Sequence, residues 1–155
     1  MTGLEKKGLH CIWGMPDPFQ QNLGVMFIYR KGISMKEVIV DGSRSGRVLA
    51  GELTTWDKTL SKEVKTVVMV LYGFTGMTTE RVPPAAIKSF NMMVGRVVSE
   101  LDEKYGGRTV CMGDFNSLAD VDNDGMGLIN GVVSEESLVS TVLDQGLVDW
   151  FRVLH

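Results

Sequence analysis

An acid and an amide two residues apart, Asp114 and Asn116, stand just after the apolar run Thr109, Val110, Cys111 and Met112 in this chain of 155 residues. The β-branched and apolar lead-in reads as a buried strand, and Gly113 lets the backbone turn at its carboxyl end. Side chains alternate along extended backbone, so Asp114 and Asn116 are expected on one face, with Phe115 turned toward the core. The pair suits a metal or a phosphate. The carboxylate can take a proton or coordinate a cation, and the amide can donate to an anionic oxygen without competing for the metal. A strand that simply ends in Gly-Asp is common, because Asp and Asn favour turns, so the elements around the motif carry the rest of the reading.

Those elements begin with a short strand over residues 8 to 13 and a loop holding Pro16 and Pro18, which a ladder interior excludes. Residues 24 to 30 form an apolar strand that reads as covered on both faces. A weaker strand is expected over residues 37 to 40, ending at the turn-forming Asp41-Gly42, and a half-exposed one over residues 47 to 56. The strongest strand signal is residues 66 to 72, Thr-Val-Val-Met-Val-Leu-Tyr, followed by a loop with Gly73 and Gly76. Pro83 and Pro84 suit the first turn of a helix. Ile87, Phe90, Met93, Val94, Val97, Val98 and Leu101 then recur at three- and four-residue steps until Gly106-Gly107. A second helix is expected to start near Ser134 with Glu135, Glu136 and Ser137, to continue through Leu138 and Val142, and to end at Gly146. The predicted fold class is α/β, a layered β-sandwich flanked by helices. In that order the strand ending at Tyr72 and the strand ending at Gly113 come to one sheet edge, where open α/β sheets keep their ligands.

With 44% hydrophobic and 23% charged residues, the composition is that of a single globular domain spanning residues 1 to 155. No run approaches the roughly eighteen apolar residues of a membrane span, and residues 1 to 10 lack the apolar core of a signal peptide, so an intracellular setting, cytoplasmic or nuclear, is expected. Cys11 and Cys111 have no metal spacing and read as buried thiols. Residues 1 to 108 hold 15 Lys/Arg against 11 Asp/Glu, whereas residues 109 to 155 hold one against eight. That acidity favours a bound cation near the motif over direct phosphate neutralisation.

Assembled in this order, the chain resembles the endonuclease/exonuclease/phosphatase superfamily, whose Gly-Asp-x-Asn signature Gly113, Asp114, Phe115 and Asn116 match in full. Tyr72-Gly73-Phe74-Thr75 matches in part the family's Tyr-x-Pro-Asn-like turn, and Arg81 resembles the arginine that follows it. Gly24-Val-Met-Phe-Ile-Tyr-Arg-Lys-Gly32 is similar to a Gly-Val-Ala-x-x-x-Arg-Lys-Gly strand. Together with Asp120, Asp124 and the stretch from Gly146 to His155, the likeness is greatest to the endonuclease domains of non-LTR retrotransposons and runs from about residue 8. It implies hydrolysis of phosphodiesters with Mg²⁺ or Mn²⁺, with DNA as the expected partner and no membrane. Asp114 would orient or deprotonate the attacking water, Asn116 would hold that water or a phosphate oxygen, Tyr72 would donate toward the phosphate, and Arg81 would steady the backbone. Asp114 and Asn116 are also the metal-side residues on this reading.

The family's amino-terminal Asn strand, its metal-binding Glu motif and its Ser-Asp-His motif have no counterpart here. The expectation is therefore a partial domain, with little or no activity from this polypeptide alone and with apolar sheet edges open to self-association. A non-catalytic remnant or interaction module of the same fold is the alternative. A third reading is a calcium loop at Asp120, Asp122 and Asp124, although its twelfth position is Gly131 rather than a bidentate Glu.

Overall fold

A computed structural model describes residue 4 and residues 7–14, 24–43, 45–74, 82–116 and 137–149, and among these described residues alternating apolar residues, broken by glycines and charged turns, make six strands and two helices. In chain order the elements are β1 (Leu9–Trp13), β2 (Met26–Arg30), β3 (Ser34–Val38), β4 (Val48–Asp57), β5 (Lys62–Tyr72), α1 (Pro84–Tyr105), β6 (Thr109–Asp114) and α2 (Leu138–Leu143). The class is α/β, with β1-β2 as one antiparallel sheet and β3-β4-β5-β6 as a second. The chain divides into two compact units, one of Met1–Tyr72 with Leu101–Gly113 and the other of Gly73–Glu100 with Asp114–His155.

In the first unit, β4 and β5 form a long antiparallel hairpin running from Val48↔Leu71 to Asp57↔Lys62, and β3 joins the other edge of β4 in the register Ser34↔Thr54 to Val38↔Ala50. Its period-two pattern gives the hairpin two apolar faces. On one, Leu49 and Val68 form a core cluster with Val25 and Phe27, against which Ile12, Tyr29, Met35, Leu53, Val70 and Tyr72 pack. On the other, Val48, Ala50, Val67, Met69 and Leu71 are all buried. The β4 segment thus differs from its half-exposed reading: Val48 to Gly51 are buried, and exposure is confined to the end near the turn.

The strand β6 runs parallel to β5. Val67 N–H donates to the Arg108 carbonyl at 3.0 Å, and further along both strands Gly113 lies against the Leu71 carbonyl. The α1 helix is closed by the Gly107 N–H donating to the Asp102 carbonyl at 2.9 Å. Along α1, the three- and four-residue spacing is realised as buried Phe90, Val94, Val97, Val98 and Leu101.

Two strands are less covered than their apolar runs imply. In β2 only Phe27 is buried, while Ile28 is 53% exposed, because β1-β2 turns one face to the core cluster and the other outward. In β6, Val110 and Met112 are 42% and 47% exposed, so this strand is not the buried one the sequence predicts.

In the second unit, Phe74 packs edge-on against Phe90, with ring centroids 5.2 Å apart. The α2 helix is capped by Ser137, whose hydroxyl accepts the Ser140 N–H at 3.1 Å, and Thr141 lies against Gly95 of α1. The cap is three residues later than the expected start at Ser134, a residue that lies outside the described ones together with Glu135 and Glu136.

The first unit also carries a polar clamp. Glu52 on β4 pairs with Lys65 on β5 at 2.8 Å, and its other carboxylate oxygen accepts the Tyr105 hydroxyl at 2.9 Å. The hydrogen bond from Lys65, followed by that from Tyr105, holds the Glu52 carboxyl below its usual range. A depressed carboxylate contributes stability that is present above its unfolded pKa and lost as pH falls through its folded pKa. Wild type is therefore expected to exceed Glu52→Gln in stability at neutral pH, and the gap is expected to close on acidification. Urea melts across the acidic range check this, and a gap independent of pH would refute it.

Candidate functional site

The signature residues fall at the carboxyl end of β6. Gly113 still belongs to the strand but has φ +140°, and a Cβ there would run into the Leu71 carbonyl, so the chain needs glycine to lie this close to β5. Asp114, the last strand residue, is exposed. One of its carboxylate oxygens accepts the backbone N–H of Asn116 at 3.1 Å, an Asx-type turn that fixes the carboxylate over its own loop.

Asn116 has φ +49°, left-handed backbone that Asn adopts more readily than most residues. The extended alternation predicted through residue 116 therefore stops before it. Instead of sharing a strand face with Asp114, Asn116 is swung round so that its side-chain nitrogen donates to the Gly73 carbonyl at 3.1 Å. That bond uses one of the amide's two N–H donors and leaves its Oδ1 available as an acceptor. The Gly73 N–H in turn donates to the Asp114 carbonyl at 2.8 Å, and a Cβ on Gly73 would collide with the Phe115 carbonyl. Gly73, Asp114, Phe115 and Asn116 thus form one interlocked pair of turns.

Tyr72, in the first unit, ends β5 with its ring half-buried. Its N–H donates to the Arg47 carbonyl at 2.9 Å, and the Arg47 guanidinium carbon lies 5.3 Å from its ring centroid. Arg47 is only 2% exposed. Spacing along the chain does not reveal its place beside Tyr72. The signal was present in the hairpin: a register pairing Val48 with Leu71 sets residue 47 beside residue 72.

Arg81 lies outside the described residues, as do Asp120, Asp122, Asp124 and His155. His10, the other histidine, stacks on Tyr29 at 5.7 Å. Burial, with a lesser effect of Asp102, pushes the Cys111 thiol up to about 12, so it is an inert thiol at neutral pH.

Among the described residues no group of three or more His, Cys, Asp and Glu side chains could hold a metal. The oxygen donors at the motif are the Asp114 carboxylate and the Asn116 amide oxygen. Asp114 and Asn116 fall short of such a group, so among the described residues they do not by themselves make a metal site.

Comparison with known proteins finds no matching family model and no match among curated proteins. Among solved structures the chain is similar to the human Nocturnin catalytic domain with bound sulfate anion, at 15% identity and a TM-score of 0.39, over 74% of this chain. The chain spans 45% of the length of that domain.

Proposed function

We propose that this chain is part of a phosphodiester-hydrolysing domain of the endonuclease/exonuclease/phosphatase type, with nucleic acid as the substrate class and DNA first among the candidates. The observation that carries the reading is the locked turn at Asp114 and Asn116. It presents an exposed carboxylate and an amide oxygen from backbone that cannot relax without breaking three hydrogen bonds. Such preorganisation is what a water-orienting site requires, since groups fixed in advance pay no reorganisation at the moment of reaction.

On this reading Asp114 accepts a proton from, or orients, the attacking water through its second carboxylate oxygen, while Asn116 Oδ1 accepts from that water. Tyr72 donates its hydroxyl proton in a hydrogen bond to a phosphate oxygen, and Arg81 steadies the backbone. The family resemblance brings Mg²⁺ or Mn²⁺ into this reading, with Asp114 and Asn116 on the metal side and further carboxylates needed beside them to hold the ion. The finer likeness to retrotransposon endonucleases is supported by the sequence of the segment from Gly24 to Gly32, by Asp120 and Asp124 and by the stretch from Gly146 to His155.

The purified chain incubated with supercoiled plasmid and Mg²⁺ is expected to nick slowly, and Asp114→Ala about tenfold more slowly. This is a smaller loss than a complete acid/base set shows, because members of such a unit are strongly non-additive. Equal nicking by both proteins, or none by either, removes the enzymatic reading. The second reading, a non-catalytic interaction module of the same fold, is favoured by the exposed Val110 and Met112 of β6, an apolar strand face of the kind that associates.

A further inference from the structure

We propose that Arg47 is the positioning residue for Tyr72 in the phosphate site, an inference that rests on the phosphodiesterase reading above. A guanidinium that is 2% exposed reaches no ligand, so its part is played through what it touches. Two contacts tie it to Tyr72: its carbonyl accepts the Tyr72 N–H at 2.9 Å, and its charge sits 5.3 Å from the ring centroid. The first fixes the backbone from which the ring projects. The second holds the ring face, since a cation within about 6 Å of an aromatic centroid is attracted by the ring quadrupole. Together they restrict how the ring can turn.

The loop before Arg47 is built to hold it there. Ser45 Oγ accepts the Arg47 N–H at 3.1 Å and donates to the Gly42 carbonyl at 2.6 Å, so the turn is pinned on both sides of Ser45. Leu49 and Val48, just beyond, are fully buried, which leaves Arg47 no route to slide along the strand. A flat guanidinium lies against the Tyr72 ring, and a lysine there would keep the charge but lose the plane.

The test is ¹⁹F NMR of the full chain labelled with 3-fluorotyrosine. The sequence has three tyrosines, and Tyr72→Phe identifies the Tyr72 resonance by its disappearance. Titration with inorganic phosphate is expected to shift that resonance saturably while those of Tyr29 and Tyr105 stay in place. In Arg47→Lys, compared at equal folded fraction, the apparent phosphate affinity read at Tyr72 is expected to fall at least fivefold. Ser45→Ala, which keeps the guanidinium and loosens its loop, is expected to give a smaller loss in the same direction, and it carries the test if Arg47→Lys does not fold. A purely structural role for Arg47 lowers the melting temperature and leaves the affinity of the folded fraction unchanged, which overturns the positioning role alone. A wild-type Tyr72 resonance indifferent to phosphate overturns the phosphate reading, and the inference with it.

Discussion

Gly113→Ala is expected to destabilise the protein by about 3 kcal/mol, combining left-handed strain with a backbone collision. Two terms act at once. At φ +140° an L-residue is strained in any surroundings, and the new Cβ would in addition meet the Leu71 carbonyl, which is held in the centre of the sheet. Relief requires β6 to move off β5, and Leu71 cannot follow because it is paired with Val48 and its side chain is buried. Gly107→Ala separates the terms. That glycine is also left-handed, at φ +74°, but has no atom within 4 Å of a built Cβ, so strain alone should cost about 1 kcal/mol. Chemical denaturation of both variants measures the difference, and equal losses would show that the close approach of the two strands contributes nothing.

The same glycine illustrates how much of the fold was legible in the chain. Helix α1 could be read because its apolar residues repeat at the helical period and two prolines and two glycines bracket them. The strands β1, β2 and β5 could be read from β-branched runs, and the α/β class from their order around α1. The covering of those strands could not. A run such as Thr109 to Met112 reports that its residues are apolar, whereas burial depends on which neighbours cover each face, and in β6 the face of Val110 and Met112 is open.

The site shows the same division. Residue types and spacing make Asp114, Asn116 and Tyr72 candidates only, and alternation placed Asn116 wrongly, because a single left-handed residue reverses the chain's direction without leaving a mark in the pattern of polarity. Arg47 was missed for a related reason. An arginine opening a half-exposed strand reads as a solvated charge, and only the register of β4 on β5 sets it beside Tyr72 and out of water. Both misses are of one kind: local composition was clear, and the deciding information lay in pairing.

Leu49→Ala against Val110→Ala measures that distinction as an energy. Leu49 is fully buried, sits opposite Val70 in the register and is part of the cluster with Val25, Phe27 and Val68. Truncating it removes about three buried carbons and leaves a cavity that the sheet backbone is too well paired to collapse, so a loss of about 3 kcal/mol is expected. Val110 carries the same kind of side chain in a strand of similar apolar character, yet at 42% exposure it has little burial to forfeit, and about 0.5 kcal/mol is expected. Urea unfolding of the two variants gives the ratio directly. If Val110→Ala costs as much as Leu49→Ala, the β6 face is covered in solution, and the second reading of this chain as an interaction module loses the surface it depends on. If the costs differ as expected, that face is open and apolar, and the second reading keeps the surface it depends on.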